Sequence, residues 1–183
     1  IAHRGGGRLS TENTLESIQA AIDKKVYASE IDVQRTRDGH YIIHHDTNFS
    51  RLYGDIRRPE DMKLDEVKSL TMKGLHNKIV HPATLEEALE TARDKIHLYI
   101  ELKGRTADRK MVEDLYRMVK AKGMLDQCAF ISLDYDIINY MESKHPDALL
   151  EVAADLRAVV AAVRLRDGGG DGERAAGHEK VDE

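Results

Sequence analysis

Apolar positions along this chain switch repeatedly between a period of two and a period near 3.6, and the switches mark out the elements. Leu15, Ile18, Ala21 and Ile22 recur at helical spacing behind Asn13-Thr14-Leu15-Glu16, a stretch with the form of a capping box. Residues 26–34 alternate as a strand, putting Glu30 and Asp32 on one face and Ile31 and Val33 on the other. Asp38-Gly39 is a hairpin turn signal, and residues 41–45 return as a second strand. From Asp46 to about Val80 the pattern weakens, with one short helix predicted over residues 64–70, so residues 47–80 read as a connecting excursion. Thr84-Leu85-Glu86-Glu87 is a second capping box, opening a helix to about Arg93. A strand over 95–102 follows, with Glu101 and Lys103 on one face of its end. Residues 109–122 form an amphipathic helix with Met111, Val112, Leu115, Met118 and Val119 as its buried stripe, closed by Gly123. Strand 128–132, helix 135–143 stopped near Pro146, and a short apolar strand at 149–153 complete the pattern.

Strands alternating with helices predict an α/β fold with a parallel sheet, of the TIM (β/α)8-barrel type, in which strand ends converge on one mouth. About five strands are recognisable, and 183 residues fall short of the roughly 250 typical of a complete eightfold barrel. The barrel is therefore expected to be incomplete, its carboxy-terminal part missing or replaced. Residues 1–153 constitute the predicted domain. Residues 154–183, rich in glycine and charge without periodicity, read as a low-complexity, disordered tail.

Composition narrows the class of function. Hydrophobic residues at 41% and charged residues at 33% describe a globular chain, and a net charge of −5 argues against nucleic-acid binding through a general positive field. The single cysteine, Cys128, excludes an intramolecular disulfide and, in an apolar stretch, reads as a buried thiol. No run approaches the roughly 18 apolar residues of a membrane helix.

Three carboxylates, Glu30, Asp32 and Glu101, fall at predicted strand ends and could share a hard divalent cation, Ca²⁺ or Mg²⁺, which prefers oxygen ligands. An isolated E-x-D is a weak signal, since solvent-facing carboxylates on an edge strand share the pattern. His3 and His45 are acid/base candidates because imidazole titrates near neutral pH. His44 competes with His45: strand alternation sends the two to opposite faces, and periodicity does not say which faces inward. Arg4 and Lys103 are candidate phosphate holders, a planar fork and a compact charge. Gly5-Gly6-Gly7 lacks the spacing of a nucleotide-binding loop and reads as a permissive turn.

In order along the chain, His3-Arg4-Gly5, Glu12-Asn13-Thr14, Glu30-Ile31-Asp32, His45-Asp46 and Glu101-Leu102-Lys103 resemble the motif set of the glycerophosphodiester phosphodiesterase family. The likeness covers about residues 1–153 and extends to Thr36-Arg37-Asp38-Gly39 and Thr84-Leu85-Glu86-Glu87. It implies a β/α-barrel and metal-dependent hydrolysis of a small glycerophosphodiester to sn-glycerol 3-phosphate and an alcohol. By the same implication Glu30, Asp32 and Glu101 hold the metal, His3 and His45 are the acid/base pair, and Arg4 and Lys103 contact the phosphate; the His-Asp motif selects His45 over His44. The excursion after Asp46 stands where these enzymes carry a substrate-side insertion. The style is similar to bacterial members, cytoplasmic or membrane-associated, some tethered through a preceding membrane region. The sequence departs from the family in having no Trp, where members carry an aromatic-rich later segment, and in Leu133 of Ser132-Leu133-Asp134, where Phe is frequent. Two other readings compete: a non-catalytic remnant that keeps the metal and phosphate site, and a phosphodiesterase acting on lysophospholipid or phosphoinositide headgroups.

Overall fold

A computed structural model describes residues 1–152 of the chain. The alternating segment becomes strand β1 (Ala28–Arg35), the Asp38-Gly39 turn leads into β2 (Tyr41–Ile43), and the hairpin is antiparallel with Val33 opposite Ile43. Strands β5 (His97–Leu102), β6 (Cys128–Ser132) and β7 (Leu149–Val152) then add in parallel, giving a five-stranded sheet ordered β2-β1-β5-β6-β7. Ala2 extends the sheet by a parallel bridge to Ser29. Among the described residues the sheet does not close into a barrel. The tail expected at 154–183 lies outside the described residues.

One face of the sheet is covered by helices α1 (Leu15–Asp23), α4 (Leu85–Ala92), α5 (Arg109–Ala121) and α6 (Tyr135–Lys144). Ile31, Val33, Leu98, Ile100, Leu102, Cys128 and Phe130 from the strands meet Ile18, Leu89, Met111, Leu115, Val119 and Met141 from the helices in one core. Each such side chain contributes about 1.5–3 kcal/mol when fully buried. Cys128 lies in this layer, and burial pushes its thiol up to about 12. The stripe of α5 differs from expectation in one position: Tyr116 is buried, and Met118 only partly so. The Tyr116 hydroxyl donates to Asp147, which satisfies its polar tip.

The excursion contains helices α2 (Ser50–Tyr53) and α3 (Leu64–Ser69), and a two-stranded ribbon of β3 (Met72–Lys73) and β4 (Ile79–Val80). Phe49, Met62 and Val67 form a second small core with Ile42 of β2. Because Ile42 points away from the helix-covered face, this core sits on the side of the sheet that also carries Glu30 and Asp32.

At α1 the residue in the N-cap position is Thr14, not Asn13. Thr14 Oγ1 accepts from Ser17 N at 3.1 Å, and Thr14 N donates to Ser17 Oγ at 3.2 Å. Asn13 is displaced from capping because its backbone turns left-handed, φ 49°, and its side chain is committed to β1. Helix α4 carries the capping box expected at Thr84 and Glu87. Among the described residues no helix is long and apolar enough to cross a membrane.

Candidate active site

Parallel pairing of β1 with β5 sets Asp32 directly beside Glu101, and Glu30 lies one pleat back on the same face. One oxygen from each of the three carboxylates falls within a group whose members all lie within 4.8 Å of one another. Glu30 and Asp32 are buried and Glu101 partly so. Lys103, two residues past Glu101 on the same face, reaches back to this cluster: its Nζ is 2.9 Å from Asp32 Oδ1 and 3.5 Å from Glu101 Oε2.

The three carboxyls are not equivalent. Burial, then the neighbouring Asp32 charge, pushes Glu30 up to about 8. Burial likewise raises Glu101. Burial works in the same direction on Asp32, but Lys103 and the Asn13 amide outweigh it and hold that carboxyl below its usual range. Glu30 Oε2 accepts from Arg4 N at 2.7 Å, whereas Glu30 Oε1 is buried with no hydrogen-bond partner. A buried carboxylate oxygen without a partner is costly, and this one belongs to a residue of the three-carboxylate cluster.

The loop from His3 to Asn13 is shaped to serve these strands. Arg4 adopts a left-handed backbone, φ 53°, which turns its N–H toward Glu30. Gly5 follows at φ 77°, and a Cβ there would stand 2.2 Å from Ser17 Oγ, so only glycine lets the loop lie on the first turn of α1. Asn13 grips Asp32 twice, donating from Nδ2 to Oδ2 at 2.7 Å and accepting at Oδ1 from Asp32 N at 3.1 Å. His3 is more than half exposed, with Nε2 3.8 Å from Glu30 Oε2; partial burial and the adjacent Arg4 lower its pKa.

The two neighbouring histidines separate cleanly. His44 is buried, packs against Phe49 with ring centroids 4.6 Å apart and the rings tilted by 32°, and donates from Nε2 to Asn48 O at 2.9 Å. His45 turns to the site. Gln34, the next inward residue of β1 after Asp32, holds the intervening loop by donating from Nε2 to His44 O at 2.7 Å and to Asp46 O at 2.8 Å. Gly104 gives Gln34 its room: at φ 72°, a Cβ on residue 104 would lie 2.6 Å from Gln34 Oε1.

His45 is in one tautomer. Arg4 Nη2 lies 2.8 Å from His45 Nε2, and since a guanidinium only donates, Nε2 accepts and carries no proton. The proton sits on Nδ1 and is donated to Asp46 Oδ1 at 2.8 Å. Burial opposes ionisation of Asp46, but hydrogen bonds from Arg51 and His45 bring its carboxyl down to about 2. Such an arrangement offers a lone pair for proton abstraction together with an anion that stabilises the imidazolium formed.

All seven sequence candidates, His3, Arg4, Glu30, Asp32, His45, Glu101 and Lys103, thus come from two adjacent strands and the loops beside them. Asn13, Gln34, Gly104, Glu12 and Arg51 support them; sequence gave Asn13 only a capping role and the other four none. Glu12 and Asn13 lie within the Glu-Asn-Thr motif, which was the available signal; Arg51 lies in a weakly patterned stretch that gave none.

Comparison with known proteins extends beyond these motifs. Residues 3–163 match the model of the Glycerophosphoryl diester phosphodiesterase family. A Bacillus subtilis glycerophosphodiester phosphodiesterase is 27% identical over 136 residues, covering 68% of this chain and 46% of that protein. Human glycerophosphodiester phosphodiesterase 1 is 28% identical over 126 residues, covering 64% of this chain and 37% of its own. Among solved structures, an Oleispira antarctica phosphodiesterase in complex with the product sn-glycerol-3-phosphate superposes with TM-score 0.75 at 26% identity, over 83% of this chain and 64% of that one. A glycerophosphodiester phosphodiesterase from Agrobacterium tumefaciens superposes with TM-score 0.72 at 24% identity, over 81% of this chain and 64% of that one. The chain spans about half the length of the curated relatives it matches, or less.

Proposed function

Because the chain belongs to the glycerophosphoryl diester phosphodiesterase family, we propose that its site hydrolyses glycerophosphodiesters to sn-glycerol 3-phosphate and an alcohol with the help of a divalent cation. The observation that carries this reading is the meeting, on one face of β1 and β5, of three carboxylates with two imidazoles, a guanidinium and an ammonium.

The residues fit a cation. Three carboxylates offer hard oxygen donors suited to Ca²⁺ or Mg²⁺, and Glu30 Oε1 is a buried acceptor with no donor. Glu30, Asp32 and Glu101 would hold the ion, and Lys103 would move off Asp32 toward the phosphate. When bound, the ion supplies positive charge against the phosphoryl oxygens.

The chain's own groups divide the remaining work. The Arg4 fork and the Lys103 ammonium bind phosphate oxygens and orient the diester. Engaging the phosphate draws Arg4 Nη2 from His45 Nε2, which uncovers the base. His45 then takes the proton of the attacking oxygen at Nε2, and the positive ring is stabilised by Asp46. As the new bond to phosphorus forms and the bond to the leaving alkoxide breaks, His3, entering as the imidazolium, gives its proton to the departing oxygen, and the proton taken up by His45 passes through solvent to restore it. Water is consumed overall, one proton going to the alcohol.

Purified protein supplied with Ca²⁺ or Mg²⁺ should release glycerol 3-phosphate from glycerophosphocholine, and EDTA or His45→Ala should abolish release. A second reading, in which the site binds cation and phosphate without turnover, is favoured by the open sheet among the described residues. Tight calcium binding by calorimetry with no release from a panel of glycerophosphodiester and lysophospholipid headgroups would establish it instead.

A further inference from the structure

Arg51 lies outside the five motifs, yet it connects both sides of the site. Its Nε donates to Asp46 Oδ2 at 2.6 Å, its Nη1 donates to Glu12 Oε2 at 3.1 Å, and its Nη2 donates to Glu12 Oε1. Glu12 also accepts from Arg4 Nη1 at 3.2 Å. With Arg4 donating to His45 and His45 to Asp46, five side chains close a ring: Arg51, Asp46, His45, Arg4 and Glu12. Each arginine donates to two neighbours, each carboxylate accepts from two, and His45 does one of each. Only one placement of the imidazole proton satisfies every contact.

We propose that Arg51 is a positioning residue for the hydrolysis: through Asp46 it fixes the proton of His45 on Nδ1, and through Glu12 it fixes the guanidinium of Arg4 where the phosphate binds. The proposal rests on the roles given above to His45 and Arg4. Arg51 itself touches neither imidazole nor the carboxylate cluster, and its side chain is 47% exposed, so its ion pairs contribute little to folding. The charged and titratable groups around His45 are Asp46 on its own loop, Arg4 and His3 from the loop before α1, Asp32 from β1 and Arg51 from α2. Removing Arg51 takes one cation from this set and leaves Asp46 free to turn from Nδ1. Lysine in its place can reach one carboxylate but not span both with a fork.

The test compares the full chain with Arg51→Met and Arg51→Lys by nitrogen-15 NMR of the imidazoles, with His45→Asn assigning the signals and thermal unfolding confirming the fold. Steady-state turnover of glycerophosphocholine is measured alongside. His45 in the unsubstituted protein should be protonated on Nδ1 alone. Arg51→Met should mix in the Nε2–H form, lower kcat about tenfold or more and raise KM. Arg51→Lys should recover the tautomer while keeping the raised KM. An Arg51→Met protein with unchanged imidazole signals, and with kcat and KM intact after correction for folded fraction, overturns the proposal. If the unsubstituted protein turns over no diester but its tautomer depends on Arg51, the positioning role stands and the proposed reaction fails; turnover with an indifferent tautomer gives the converse.

Discussion

Replacing Glu30 by Gln should stabilise the metal-free protein at neutral and alkaline pH while abolishing its response to divalent cations. Glu30 is 1% exposed, and burial beside Asp32 holds its carboxyl at about 8 in the fold against 4.5 as a free side chain. A folded-state value above the unfolded one means that the native protein binds the extra proton. The contribution of this carboxyl to stability is therefore intact below about pH 4.5 and is lost as pH rises through about 8. The loss amounts to about 3 kcal/mol by pH 7. Gln has the same shape and no charge to desolvate, and its amide oxygen can still accept from Arg4 N, so the variant escapes this loss. Urea unfolding in EDTA should show the two proteins similar near pH 5 and the variant ahead by a few kcal/mol at pH 8. Adding Ca²⁺ or Mg²⁺ at about a hundred times its dissociation constant should stabilise the original protein by about 2.7 kcal/mol and leave Glu30→Gln unmoved. A stability difference that is flat from pH 5 to 8, or an equal response of both proteins to the cation, would refute the account of Glu30 as an uncompensated buried ligand.

Two further substitutions probe the supports. Asn13→Ala removes both contacts to buried Asp32 and places alanine at φ 49°; the expected cost is about 2–4 kcal/mol in urea unfolding, with weaker calcium binding by calorimetry. Gly104→Ala forces a methyl against Gln34 at φ 72°, which should cost about 1–3 kcal/mol in thermal unfolding. It should also lower turnover more than its stability loss explains, because Gln34 lets go of the loop that carries His45.

The sheet was legible because its signals are local. Alternation from 26 to 34 set Glu30 and Asp32 on one face without any knowledge of partners, and the Asp38-Gly39 turn brought the second strand back beside the first. The inward choice between His44 and His45 was not legible by period, because β2 ends at Ile43 and Gln34 redirects the chain beyond it. Asn13 was misread as a helix cap since capping and carboxylate-gripping use the same amide; the left-handed turn at φ 49° decides between them and leaves no mark in composition. The excursion hid its own core because its helices are only four and six residues long, too short for a helical period to register. Arg51 meets Glu12 across 39 positions, and no spacing rule reaches that far.

The carboxylates, imidazoles and cations come from residues 3 to 103, with the pairing that aligns Asp32 and Glu101 made between β1 and β5 alone. During synthesis, then, the reacting centre can assemble while β6 and β7 are still emerging, since those strands attach to the far edge of β5 and contribute none of these seven side chains. The same separation bears on how such a protein can diversify. Insertions or exchanges beyond β5 reshape what surrounds the carboxylate cluster without disturbing its register, whereas a one-residue slip between β1 and β5 would turn Glu101 away from Asp32 and dismantle the cluster at once.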